Sequence, residues 1–316
     1  MMRLILSVQL FLACSSASVL AQNSIVENRQ ATPPFDASER LEPPKLAFFV
    51  IGAWGCGGAK QSATANAMLK GFAEGNSAAV LTTGDNFLDG GVSAVDDPQW
   101  NAKYAEMFPF SDFPAPFYPV LGMADYSGDP GAQVKYSYKP PKTGAPPWRM
   151  PAKYWSEVFT AAEGTFSVRV TGLDTPSLVS GKPGERDAQL HWLDSVLVSA
   201  EEDWSIVVGH HPIYSNGRGG NTLSMMLHVK PLLEKRGVNA YVAGRDNDLQ
   251  LLAPLRGVRY AVSAAFCRTS DTRWAGNTLF ADARFGFIRM EMNKTDMLMQ
   301  FIASDGSVMY SLRSPK

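Results

Sequence analysis

Five apolar runs in this chain close in the same way, with a glycine followed by one presented residue: Val-Ile-Gly before Ala53, Thr-Thr-Gly before Asp85, Val-Leu-Gly before Met123, Val-Val-Gly before His210 and Val-Ala-Gly before Arg245. Glycine lets a chain turn sharply at the end of a strand and swing the next side chain over the sheet edge. In α/β proteins the carboxyl ends of strands are where sites are assembled. Repetition of the device predicts a sheet whose strand ends converge, on a built site or on the remains of one. What the corners present is odd for a site: two of them offer a methyl group (Ala53) and a thioether (Met123).

Between the corners, apolar runs alternate with helical patterns. LAFFVI (46–51) precedes the helix-like AKQSATANAMLKGFAE and the strand-like AAVLTT; WSIVVG, the helical TLSMMLHVKPLLEKRG and VNAYVAG repeat the arrangement. Such alternation predicts an α/β protein with strands covered by helices. From about residue 258 the pattern becomes strands separated by turns, VRYAVSAAF, FGFIRMEMN, DMLMQFIA and SVMYSLR, which predicts antiparallel sheet. The aromatic run KYWSEVF reads as strand core.

The ends and composition bound the partners. Residues 1–21 carry one arginine, an apolar stretch and small residues at Val19 and Ala21, and read as a signal peptide. Residues 22–45, with Pro33, Pro34, Pro43 and Pro44, read as a Pro-rich linker, leaving 46–316 as the domain. No later run reaches the ~18 apolar residues that span a bilayer, so the expectation is a mature chain without a transmembrane segment, in the secretory pathway or outside the cell. A formal charge of −1 and a pI near 6.4 provide no basic field for nucleic acid. Of the three cysteines, Cys14 lies in the signal stretch. Cys56 and Cys267 are left as a disulfide or as two thiols. Asn293-Lys294-Thr295 is a glycosylation sequon.

The ordered segments GAWG, GDNF, GMADY, LDT, GHHPIYS and GRDNDLQ, with the closing FIASDGSVMYSLR, resemble the calcineurin-like metallophosphoesterases and, within them, the purple acid phosphatases of the tartrate-resistant type. The resemblance runs from Leu46 to the C-terminus and implies a four-layer sandwich, two mixed sheets flanked by helices. It also implies an iron or iron-zinc dinuclear centre that clamps a phosphate ester and activates water. The family motifs are Gly-Asp-x-Gly, Gly-Asp-Asn-x-x-Tyr, Gly-Asn-His-Asp, Gly-His and Gly-His-x-His. Carried over by position, the metal ligands fall on Ala53, Asp85, Leu88, Met123, His210, Arg245 and Asn247, and only Asp85 and His210 match.

Alanine and leucine have no donor atom, methionine is a soft ligand for a metal that prefers oxygen, and arginine is a permanent cation. The imidazole that would serve the leaving alcohol falls on Ala124. General acid catalysis is typically worth about 10²- to 10⁴-fold, so its absence compounds that of the ligands. No cofactor is expected. Asp85 and His210 are either the remaining ligands of one weakly held metal or a hydrogen-bonded pair, and Asp125 and Asp246 fall where the family braces its loops. His211 has no assignable role beyond a remote phosphohistidine chemistry.

Two expectations attach to the cations. Arg245 could act as a counter-ion to Asp85 where two divalent charges have gone, or could join His210 and Arg218 in binding phosphate or another anion. Cys56 and Cys267 fall near each other in the family's arrangement, which favours the disulfide. The functional expectation is a secreted, catalytically degenerate homologue acting as a binding or structural scaffold for a protein partner, similar to the acid-phosphatase-like proteins of apicomplexan motility complexes. The alternative is an active acid phosphatase with an atypical metal site.

Overall fold

The computed structural model describes residues 35–73, 77–138 and 144–316. The signal stretch and most of the stretch read as linker therefore lie outside the described residues. The first half comprises β1 (Leu46–Ile51), α1 (Gly58–Ala73), β2 (Ala79–Thr82), β3 (Phe117–Tyr118), α2 (Pro130–Tyr136), β4 (Trp155–Thr160), β5 (Ser167–Gly172), α3 (Thr175–Ser180) and α4 (Pro183–Val198). The second half comprises β6 (Trp204–Val208), α5 (Leu223–His228), α6 (Lys230–Lys235), β7 (Ala240–Ala243), β8 (Leu249–Leu255) and β9 (Val258–Ser263). It closes with β10 (Thr278–Asp282), β11 (Gly286–Met292), β12 (Asp296–Ala303) and β13 (Val308–Pro315).

The strands form two mixed sheets, in the orders β13-β12-β11-β1-β2-β3 and β10-β8-β9-β7-β6-β5-β4. In the first, β1, β2 and β3 run parallel, and β11 to β13 add antiparallel strands. In the second, β5, β6, β7 and β9 run parallel. The parallel strands that carry a corner, β1, β2, β6 and β7, therefore end with a glycine one residue past the strand, or two in β2, where Thr83 intervenes.

Side-chain alternation fixes the layers. Ile206 and Val208 of β6 and Ala240 and Val242 of β7 join the core between the sheets. Val207, Tyr241 and Ala243 point the other way and pack with Leu178, Leu193, Leu197, Met225 and Leu233 of α3 to α6. The period of two thus divides one set of strands between two apolar layers. On the other sheet α1 covers β1, with Phe72 stacked on Phe49 at 5.8 Å. The helical run after Thr222 is divided into α5 and α6 at Val229, with Pro231 in the first turn of α6, where its missing N–H costs nothing.

Three sequence expectations change. The Val-Leu-Gly run before Met123 is not a strand; β3 ends at Tyr118, and Pro119 removes the next ladder donor. KYWSEVF is only partly core, because β4 is an edge strand: Trp155 is buried while Val158 is exposed. Residues 35–45 are not free linker. Leu41 is buried and donates its N–H to Glu291, Lys45 pairs with the same carboxylate at 3.0 Å, and Phe35 meets Tyr310 edge-on. This strap covers a buried Arg289–Glu291 pair at 2.8 Å on β11.

Candidate functional site

The strand ends converge as the glycines require. Ala53 donates its N–H to the Gly84 carbonyl and Trp54 donates to that of Asp85, so the first two corners are tied backbone to backbone. A side chain on Gly84 would come 2.7 Å from the Gly122 nitrogen and 2.9 Å from His210 Nδ1, so only glycine lets the second, third and fourth corners meet. Ala53, Asp85, Arg245 and Asn247 have φ of 52°, 54°, 71° and 54°. That left-handed region suits glycine, asparagine and aspartate and costs an alanine or arginine roughly 1–2 kcal/mol. Ala53 thus holds a left-handed turn at the end of β1 while presenting only a methyl group.

Ala53, Leu88 and Cys267 are buried against one another, with half-buried Cys56 beside them, forming a small apolar cluster at the first corner. Cys56 and Cys267 are joined as a disulfide across 6.3 Å between Cα atoms. It ties the loop after β1 to the segment after β9. Met123 is largely exposed, and the next residue, Ala124, donates its backbone N–H to Asp85 Oδ1 at 2.8 Å.

Asp85 and His210 do come together, but not as a hydrogen-bonded pair. His210 Nε2 lies 3.7 Å from Asp85 Oδ1, beyond hydrogen-bond reach. The other ring nitrogen, Nδ1, is 3.0 Å from the Thr83 carbonyl, which holds the buried imidazole in place. Arg245 does not serve as the counter-ion of Asp85: among the described residues no ion pair joins them, and the cation facing Asp85 is His210 when protonated. The Arg245 guanidinium lies instead beside Gly219, close to Asp246. Its left-handed backbone directs it there, away from the second corner.

Around these residues the bracing is intact. Asp125 is fully buried and accepts the N–H groups of Asn86, Phe87 and Gly122 and the Gln133 amide. Burial, followed by the charge of Asp85, raises its pKa to about 7. Asp246 accepts from the Ser215 hydroxyl and the Gly219 N–H, and burial raises its pKa as well. Thr175 Oγ1 receives the N–H groups of both His210 and His211 and lies 3.0 Å from His211 Nδ1. His211 is buried, and burial, with His210 and Arg245 nearby, lowers its pKa to about 3. It is a neutral structural ring, closed to phosphorylation.

The sequence reading missed Asn86 and Thr175. Asn86 accepts from Trp54 Nε1 and Thr82 and donates to Val120 and Gln133. It also missed a cavity of about 440 Å³ beside Met123, lined by Tyr126, Lys153 and Asp174, where the Tyr126 hydroxyl donates to Asp174 at 2.6 Å. Asp174 is the acid of the LDT run, and Met123 and Tyr126 belong to the GMADY run; both segments were visible in the sequence without pointing to a cavity. Arg218 is exposed and lines a separate cleft of about 490 Å³ with Thr269, Ser270, Asp271 and Arg273; His210 and Arg245 do not line it. Asn293 sits in the turn between β11 and β12, with its side-chain oxygen accepting from Thr295 and Asp296.

A dinuclear metal centre does not fit these residues. The oxygen and nitrogen donors at the carried-over positions are Asp85, His210 and Asn247, whose Oδ1 is buried without a partner. The first corner is apolar. Among the described residues no group of three or more His, Cys, Asp or Glu side chains is placed to hold a metal ion, whereas even one zinc normally takes three protein ligands.

The chain belongs to the calcineurin-like phosphoesterases, whose family model matches residues 48–244. Within them it is homologous to the purple acid phosphatases: it is 28% identical over 303 residues to human tartrate-resistant acid phosphatase type 5, covering 86% of this chain and 92% of that protein. It is also 27% identical over 301 residues to glideosome-associated protein 50 of Plasmodium falciparum, covering 84% of this chain and 76% of that protein. The solved structure of GAP50, described as the anchor in the inner membrane complex of Plasmodium, superposes with a TM-score of 0.77 at 24% identity, over 86% of this chain and 89% of that one. The yellow lupin purple acid phosphatase PPD1 superposes with a TM-score of 0.64 at 14% identity, over 89% of this chain and 55% of that one. The two-sheet fold is that of the metallophosphoesterases.

Proposed function

We propose that this chain is a catalytically degenerate purple acid phosphatase homologue that acts as a binding scaffold for a protein partner. The observation that carries the reading is the first corner: the backbone keeps the left-handed turn of a ligand position while Ala53, Leu88 and Cys267 fill it with apolar atoms. A hard, oxygen-preferring metal has no donor there. Retention of Asp125, Asn86 and Asp246 as braces supports maintenance of the surface for something other than hydrolysis. The likeness to glideosome-associated protein 50, an anchor in its own setting, supports a scaffold. The apolar leader and the disulfide support a secretory or extracellular location, and the exposed turn at Asn293 is open to glycosylation. Aryl phosphate hydrolysis at acid pH, with iron and zinc supplied, tests the proposal. Turnover no faster than that of an Asp85→Asn/His210→Ala control is expected; metal-dependent turnover approaching that of an active relative would refute it.

A further inference from the structure

The chain is nearly neutral, with a formal charge of −1, yet its cations are not evenly paired. Lys45, Arg169, Arg236, Arg284 and Arg313 each hold a carboxylate. Arg218, Arg268, Arg273 and Lys60 are exposed and, among the described residues, in no ion pair. Other exposed cations, Lys70, Arg149, Lys182 and Lys294 among them, are scattered singly, whereas these four gather at two neighbouring clefts. Arg218 and Arg273 line the 490 Å³ cleft, and Arg268 and Lys60 line a second cleft of about 410 Å³ with Cys56, Cys267 and Phe285; Thr269 lines both, so the two adjoin. Lys60 Nζ sits 5.6 Å above the Phe285 ring.

The loops that carry these cations are fixed. Gly217 and Thr272 form an antiparallel bridge, and the Arg273 N–H donates to the Asn216 carbonyl at 3.1 Å. Ser270 donates to the Asn247 carbonyl at 2.7 Å, and Gly219 donates to Asp246. A side chain at Gly219 would collide with the Asp246 carboxylate and approach Arg245 Nη1 to 3.0 Å, so the loop can lie this close only as glycine. The disulfide holds the segment leading to Arg268. The arginines are thus displayed from an ordered frame and are not neutralised by it.

We infer that the two clefts lined by Arg218, residues 267–273 and the Cys56–Lys60 segment dock an extended acidic peptide segment of a protein partner. Guanidinium groups with free forks bind carboxylates in pairs, and clusters of arginine are a recurrent means of reading acidic motifs. Two adjoining clefts with cations in each suit a chain of carboxylates better than one small anion. A membrane surface fits less well: amphipathic attachment also needs exposed apolar side chains beside the cations, and the exposed large apolar residues, Leu223, Leu227 and Val198 among them, do not line these clefts. Asp271, the one carboxylate in the lining, can accept a backbone N–H from the docked segment. The inference relies on the scaffold reading only for the partner being a protein.

Fluorescence anisotropy with a labelled octaglutamate peptide and the full chain tests the inference. Saturable binding is expected, weakening at least about tenfold between roughly 50 and 300 mM salt. It should weaken at least about tenfold in an Arg218→Gln/Arg273→Gln variant whose melting temperature is unchanged, and also in Arg268→Gln. Equal binding by the variants, binding to phosphatidylserine vesicles without binding to the peptide, binding of inorganic phosphate alone, or no peptide binding at millimolar concentration would each overturn it. Such failure would leave metal content and turnover as before, so the scaffold proposal stands or falls separately.

Discussion

Reducing the Cys56–Cys267 disulfide should destabilise the domain chiefly through its unfolded state. The bond closes a loop with a sequence separation of 211 residues. In the chain-entropy description a closure of that length removes enough freedom from the unfolded chain to stabilise the fold by about 5 kcal/mol. The folded state should tolerate the change, because the Cys56 sulfur lies 3.3 Å from the Gly57 carbonyl and the Cys267 sulfur 2.9 Å from that of Trp54, so each thiol finds an acceptor. For a domain of this size each kcal/mol moves the midpoint by about 2–4 °C, which predicts a fall on the order of 10 °C. The assay is thermal unfolding with and without reductant, with alkylation and intact mass to count thiols. Two adducts without reductant, or a midpoint moving by less than about 2 °C once reduction is verified, would refute the reasoning.

Asp125 supplies a pH-dependent test. Burial raises its folded pKa to about 7, above the ordinary carboxylate range; its protonated form therefore stabilises the fold fully below about pH 4, and that contribution is lost as pH rises through 7. The stability gap between the native chain and Asp125→Asn, measured by urea unfolding, should narrow from pH 4 to pH 8, and a constant gap would show the carboxyl to be ionised throughout. Removing Glu291 takes one carboxylate from the buried Arg289 and unpins Leu41 and Lys45; Glu291→Ala should cost about 3 kcal/mol, and a loss below about 1 kcal/mol in denaturant titration would mean that the strap is unimportant. Ala53→Asp restores a ligand type in an apolar cluster. It should lower stability by about 2 kcal/mol or more at neutral pH and create no phosphatase activity; a stabilised or active variant would contradict the account of the corner.

Where local chemistry determines structure, the sequence was readable. The glycines after β1, β2, β6 and β7 mark real corners, because the demand for a tight turn is met within one or two residues. The resemblance of the ordered motifs located both sheets, and the replacements at Ala53, Leu88, Met123 and Arg245 were visible as residue types. What sequence could not convey was where long side chains go. Arg245 lies beside Gly219 and Asp246, and the basic clefts bring together three segments far apart in number, Cys56 to Lys60, Arg218 and Cys267 to Arg273. The strap escaped notice for the same reason: Leu41 is buried only because β11 provides Glu291 as its acceptor. Proline punctuation was overlooked twice: at Pro231, which starts α6 within a run read as one helix, and at Pro119, just past the end of β3.

Metal content tests the central claim most directly. The chain, secreted in oxidised form, would be incubated with iron and zinc, freed of excess ions and measured by inductively coupled plasma mass spectrometry against an active purple acid phosphatase prepared in parallel. With apolar atoms at the first corner and donors only at Asp85, His210 and Asn247, the account predicts well under one metal ion per chain. Two ions per chain, lost on exposure to a chelator and regained on reloading, would contradict it.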